Sequence, residues 1–239
     1  MKIKIIPCLK DNYSYLIIDE KKNIACVVDP SESNPIIEYL EENKVNLKFI
    51  LNTHHHYDHV GGNKKLKEKY SASVIGFKGD KDRIPEIDIL LNDQEIWKYE
   101  DFEAKIIHIP GHTLGHICFY FYNNKSVFTG DTLFSLGCGR IFEGTYSQMY
   151  ESLKKIKKLP DDTKIFCGHE YTLNNSKFCL KHDQNNESLK NKIIQIQKKL
   201  QNGLPTIPST IKEELETNIF LRSENVKTFS KLRDLKDNF

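Results

Sequence analysis

No stretch of this chain approaches the roughly 20 consecutive apolar residues needed to cross a bilayer. The opening Met1-Lys2-Ile3-Lys4-Ile5-Ile6-Pro7 alternates in polarity and carries no cleavage-type sequence, so it predicts a first strand and not a signal peptide. The six cysteines (Cys8, Cys26, Cys118, Cys138, Cys167, Cys179) lack the paired spacing of a zinc knuckle or a disulfide framework. Several lie in apolar strand sequence, which predicts buried free thiols and a reducing, cytoplasmic compartment. Neither sign of charge is in real excess: 35 Lys and Arg against 33 Asp and Glu leave +2 at pH 7. From residue 171 onward 12 basic residues stand against 8 acidic ones, while the preceding part carries 23 against 25. So mild a basic tail suits a small anionic ligand, whereas nucleic acid would demand a denser, continuous basic face. No internal repeat or low-complexity linker interrupts the 239 residues, enough for one large core, or one core with a small appendage.

What the chain does have is histidine, concentrated in Asn52-Thr53-His54-His55-His56-Tyr57-Asp58-His59-Val60-Gly61-Gly62. The run follows an apolar strand from Leu47 to Asn52. Imidazole and carboxylate together suit a borderline divalent cation such as zinc. His54, His56, Asp58 and His59 cannot all reach one ion from this stretch. They can serve two neighbouring ions, one taking His54 and His56, the other Asp58 and His59. A solvated turn rarely has this composition. Three later segments repeat one pattern, an apolar strand, a glycine and then a donor: Ile109-Pro110-Gly111-His112, Val127-Phe128-Thr129-Gly130-Asp131 and Ile165-Phe166-Cys167-Gly168-His169. Glycine lets the backbone turn sharply and present the next side chain at the strand end.

These motifs resemble the metallo-β-lactamase superfamily. Within it the chain resembles glyoxalase II, the hydroxyacylglutathione hydrolases. The likeness rests on Pro7 to Tyr15, Thr53 to Asn63, Gly130-Asp131-Thr132-Leu133-Phe134, Cys138-Gly139-Arg140, Gly168-His169-Glu170-Tyr171-Thr172, Leu204-Pro205-Thr206, Glu216 to Arg222, and Arg233, Lys236, Asp237 and Phe239. It spans essentially the whole chain. The resemblance implies an α+β fold, a metallo-β-lactamase-like αββα sandwich over residues 1–171, followed by a small all-helical domain over 172–239 that binds glutathione. It implies two divalent ions (zinc first, with iron or manganese also suited), one held by His54, His56 and His112, the other by Asp58, His59 and His169. Asp131 would bridge both. Asp58 and Asp131 would then act in catalysis through a metal-bridging hydroxide that attacks a glutathione thioester, S-D-lactoylglutathione, giving D-lactate and glutathione. No nucleic acid, membrane or obligatory protein partner is implied.

The substrate contacts implied are Arg140, Phe142, Tyr171, Arg233 and Lys236. Arg233 and Lys236 lie three apart on a predicted helix and share a side of it. One segment departs from the family. Where Gly-Lys-Phe-Tyr-Glu-Gly-Thr is usual, this chain reads Gly139-Arg140-Ile141-Phe142-Glu143-Gly144-Thr145, losing a hydroxyl and exchanging lysine for arginine. A persulfide dioxygenase relative would use a single iron and lack the helical tail; β-lactamase or nuclease relatives would lack Arg233 and Lys236. A glutathione-binding module without catalysis would not need seven intact donors. His55 is expected to face away from the ligands, His116 to brace its loop, and His108 and His182 to be structural or exposed. Asp29, ending an apolar strand, is an acceptor for a ligand imidazole or a turn residue before Pro30.

Periodicity predicts helices over Ile36–Asn43 (Ile37 and Leu40 inward) and Asn63–Tyr70, and one opened by the capping box Thr145-x-x-Gln148 with Met149, Leu153 and Ile156 inward. After Tyr171 strand character is expected to stop, leaving helices at Asn175–Lys181, Ser188–Gln201 and Asn225–Leu235.

Overall fold

The computed structural model describes residues 1–239. By internal contacts the chain forms two compact units, one of residues 1–108 and 115–124, the other of 109–114 and 125–239. The division anticipated after residue 171 falls inside the second unit. No helix is long and apolar enough to cross a membrane, and all six cysteines are buried free thiols.

The first unit contains β1 (Lys2–Cys8), β2 (Asn12–Asp19), β3 (Ile24–Val28), α1 (Asn34–Glu42), β4 (Asn46–Leu51), a single helical turn α2 (Tyr57–Val60), α3 (Asn63–Tyr70), β5 (Ser73–Phe77), β6 (Ile87–Leu91), β7 (Ile96–Tyr99), β8 (Phe102–His108) and β9 (Ile117–Phe121). Strands β1 to β6 form a sheet in chain order. Its first three strands are antiparallel and the rest parallel, with α1 and α3 as the crossovers for β3–β4 and β4–β5. β2 is buried along its whole length, its polar Asn12, Ser14 and Asp19 included, whereas edge strand β1 exposes Lys2 and Lys4. One cluster holds Leu16, Val27, Ile36, Leu40, Ile50, Leu66 and Val74. Ile36, not Ile37, is the buried partner of Leu40 in α1; Ile37 only borders the cluster. Phe49 of β4 meets Trp97 and Tyr99 of β7 edge-on at 5.1 and 4.8 Å.

The second unit contains β10 (Ser126–Gly130), the hairpin β11 (Leu133–Phe134) and β12 (Gly137–Cys138), α4 (Tyr146–Lys157), β13 (Lys164–Cys167), α5 (Thr172–His182), α6 (Glu187–Gln201), β14 (Ser209–Thr210), α7 (Ile211–Thr217) and α8 (Val226–Asp237). Caps set the helix starts. Thr145 and Gln148 form the expected capping box, and the Asn186, Thr210 and Asn225 side chains each accept an amide N–H of the first turn. Gly203 closes α6 at φ 66°. The tail is not purely helical, because β14 pairs antiparallel with Lys164 and Ile165 of β13. Two residues carry no readable strand period, so a pairing imposed by the tertiary fold escapes a sequence pattern.

Candidate functional site

Within the first unit the chain turns sharply after β4. The chain is extended at His56 and helical from Tyr57 to Val60. Asp58 and His59 therefore sit on a helical turn rather than on alternate faces of an extended segment. Their carboxylate Oδ2 and imidazole Nε2 lie 3.7 Å apart. Asp29 accepts from the Thr53 amide at 2.8 Å and the Thr53 hydroxyl at 2.6 Å, and its Oδ2 lies 3.1 Å from His59 Nδ1. Asp29, His54 and His59 together have the spacing of a metal-binding trio. The carboxylate already serves three donors, so its role is to orient His59, leaving Nε2 as the nitrogen offered to an ion. His54 is turned the same way, with Nδ1 3.0 Å from the Thr53 hydroxyl. Asn12 donates from Nδ2 to Asp58 Oδ2 at 3.0 Å; sequence reasoning missed both this contact and Thr53.

Among the other histidines of this unit, His55 lies with Nδ1 3.2 Å from Asp80, His116 stacks on His54 at 4.6 Å, and His108 stacks on Phe77 at 4.5 Å. His55 thus belongs to the support of the run.

The second unit brings two candidate donors, His112 and His169, together around Asp131. Its Oδ2 lies 3.6 Å from His112 Nε2 and 3.2 Å from His169 Nε2. His112 Nδ1 is 2.8 Å from the carbonyl of Arg140, which again leaves Nε2 as the outward nitrogen. Gly111 and Gly130 have φ of 153° and 47°, conformations that let the next residue leave the strand line. Gly168 does so without a positive φ, its amide held by the Gly130 carbonyl at 2.9 Å. Gly139 is needed for a different reason: a Cβ there would stand 1.8 Å from the Asp131 carbonyl.

A cavity of about 440 Å³ in this unit is lined by His112 and Asp131 together with Arg140, Phe142, Tyr171, Arg233 and Lys236. Tyr171 stacks on His169, rings parallel within 4° at 4.6 Å. Phe142 is 62% exposed and meets His112 edge-on at 5.2 Å, so it is a lip of the cavity and not buried wall. Arg140 reaches out beside Asp237. The two tail cations differ. Arg233 is buried, donates to the Cys138 carbonyl at 2.6 Å and to Asp237 at 2.9 Å, and lies over Phe220. Lys236 Nζ is buried without a hydrogen-bond acceptor, 5.2 and 5.0 Å from the centres of the Phe178 and Phe239 rings. Burial, and then the neighbouring Arg233 guanidinium, hold its ammonium below the ordinary 10.5. A cation in that state gains from an anion entering the cavity. Nothing in the spacing of Arg233 and Lys236 separates a residue committed to the fold from one left for a ligand.

A family profile described as "Hydroxyacylglutathione hydrolase C-terminus" matches residues 170–239, and one described as "Metallo-beta-lactamase superfamily" matches 10–88 and 81–169. Among curated proteins, the hydroxyacylglutathione hydrolase of Pelagibacter ubique (strain HTCC1062) is 76% identical, covering 100% of both chains. That of Methylococcus capsulatus is 40% identical over 100% of this chain and 99% of its own. Among solved structures, the ETHE1 structure from Myxococcus xanthus superposes with a TM-score of 0.75 at 23% identity, over 98% of this chain and 90% of that one. The BLEG-1 B3 metallo-β-lactamase gives 0.73 at 21% identity, over 93% of this chain and 100% of that one. At such identities these two establish the metallo-β-lactamase fold alone.

Proposed function

The chain belongs to the hydroxyacylglutathione hydrolases of the metallo-β-lactamase superfamily, and on that premise we propose how its own residues divide the reaction. It is a hydrolase of hydroxyacylglutathione thioesters that uses divalent metal. The substrate we assign is S-D-lactoylglutathione, cleaved to D-lactate and glutathione as the second step of methylglyoxal detoxification. Residues 1–171 carry the chemistry and residues 172–239 hold the glutathione part.

The observation that carries this reading is the cavity that His112 and Asp131 line together with Arg233 and Lys236. It joins donors for a hard or borderline cation to groups that recognise carboxylates. The donor set fits metal. Imidazoles whose Nδ1 atoms are engaged at His54, His59 and His112 present Nε2, and Asp131 Oδ2 stands between two such nitrogens. We assign His54, His56 and His112 to one ion, Asp58, His59 and His169 to a second, and Asp131 to both, with zinc the first choice and iron or manganese alternatives. When bound, two such ions lower the pKa of a water toward neutrality and polarise the thioester carbonyl. Lys236 pairs with a glutathione carboxylate, Arg140 offers a second cation at the lip, and Tyr171 and Phe142 wall the path between. The leaving sulfur needs no dedicated acid, because a thiol ionises near pH 8.5 and departs as thiolate.

Elemental analysis of the purified protein beside thioester cleavage tests this directly. Two ions per chain are expected, with Asp131→Ala losing both occupancy and rate. One tightly held iron with oxygen uptake on glutathione persulfide would overturn the assignment.

A further inference from the structure

Asp80 is a fully buried carboxylate outside the ligand set, at the end of a helical turn over Lys78–Asp80. Its Oδ2 lies 3.2 Å from His55 Nδ1, and its Oδ1 accepts from Arg83 Nε at 3.1 Å and from the Arg83 Nη2. The backbone of Gly115 comes so close that a Cβ there would stand 1.9 Å from Oδ1. His55 is the residue between His54 and His56. Gly115 precedes His116, whose ring stacks on His54 at 4.6 Å and 16°. Asp80 therefore touches the chain on both sides of His54. Arg83 pairs with the same carboxylate.

We propose that Asp80 is a positioning residue for the metal-binding run: by accepting from His55 Nδ1–H it fixes the backbone that carries His54 and His56. The inference rests on the metal reading given above. A carboxylate partner keeps the proton on Nδ1 and holds the ring turned away from the ligands, which leaves the residues before and after it facing the opposite way. Partners one step removed from a ligand typically contribute about 10–100-fold in metal affinity.

The test uses the full-length protein loaded with zinc and titrated with a chromophoric chelator, with thermal melts alongside. Asp80→Asn and His55→Ala are each expected to release zinc about tenfold or more readily. The double variant is expected to be no worse than the weaker single, because both remove one contact. His55→Asn, whose amide N–H stands where the Nδ1–H stood, is expected to recover most of the loss, and KM for the thioester is expected to stay at the native value throughout. Zinc retention in Asp80→Asn equal to native, losses that add in full, or His55→Asn as weak as His55→Ala would each overturn the proposal. If Asp80→Asn does not fold, the two His55 variants still decide it. Native protein that retains no zinc would overturn the metal reading and this inference with it.

Discussion

At the scale of single residues, Arg233 and Lys236 look equivalent in sequence and differ in the fold. Lys236 Nζ has no hydrogen-bond acceptor in the protein, so on the proposed reading Lys236→Ala removes the carboxylate contact and, within the fold, only the approach to the Phe178 and Phe239 rings. A charge-assisted hydrogen bond contributes about 1.5–3 kcal/mol, so KM is expected to rise roughly tenfold or more with kcat nearly unchanged. Arg233→Ala also strips a donor from the Cys138 carbonyl and is expected to lower Tm and kcat as well. Equal kinetic profiles for the two variants would refute the distinction. The depressed Lys236 pKa adds a pH signature. Anion binding needs the ammonium, so KM is expected to climb as pH rises through a value below 10.5, and Lys236→Ala is expected to lack that climb. Phe142 offers the reverse experiment. Its exposure means that a new hydroxyl keeps access to water and incurs no burial penalty. Phe142→Tyr is expected to lower KM roughly two- to tenfold through one neutral hydrogen bond; a flat or raised KM would show that the lip does not touch substrate. The candidate ligands stood out because four donors crowd one run and three more each follow a strand and a glycine. Asp80, Asn12 and Thr53 did not, since a lone buried polar residue has no period and its partner lies 24 to 46 positions away.

At the scale of elements, the hairpin β11–β12 shapes the cavity and is held from behind by a polar cluster in the tail. Buried Glu214 of α7 accepts from the Leu136 amide at 2.8 Å, from Ser135 at 3.1 Å and from Asn218 at 2.9 Å, and pairs with Lys192 of α6 at 2.5 Å. Leu136, at φ 60°, occupies a left-handed conformation that a branched apolar residue seldom adopts. Its amide bond to Glu214 fixes that turn. Burial pushes the Glu214 carboxyl up, but Lys192 together with the Ser209 and Leu136 donors outweighs burial and holds it below 4.5. A carboxyl depressed in the folded state adds stability that is complete above its unfolded value and fades as pH falls through its folded one. Glu214→Gln is thus expected to lower Tm markedly at pH 7, with the gap to native closing below pH 4.5. A gap independent of pH would show that the charge is not what stabilises the turn. Sequence periodicity found α1, α3, α4, α5, α6 and α8, because amphipathic segments of two or more turns carry their own signal. It missed α2, α7, β11, β12 and β14, all short elements whose geometry is set by what they pack on.

At the scale of the whole molecule, two ways of dividing the chain disagree. The family profile begins at residue 170, as if the tail were a module, whereas contacts place residues 125–239 in one unit. The polar ties favour the latter. Arg233 binds the Cys138 carbonyl, Asn218 donates to the carbonyls of Phe134 and Gly137, Thr206 donates to Glu170, and the Ile211 amide reaches the Thr163 carbonyl. Ending the chain after Tyr171 would strand each of these groups, open the edge of β13 and uncover Tyr150, whose ring meets Phe229 at 6.0 Å. A buried backbone group left without its partner costs about 1–3 kcal/mol, and several of them together rival the roughly 5–15 kcal/mol that separates a folded domain from its unfolded chain. A fragment of residues 1–171 is therefore expected to lose the fold of residues 125–171 and to cleave no thioester, with or without a glutathione part, rather than to survive as an enzyme with poor substrate affinity. A soluble fragment that melts cooperatively and cleaves a small non-glutathione thioester at the native rate would establish that the tail serves binding alone.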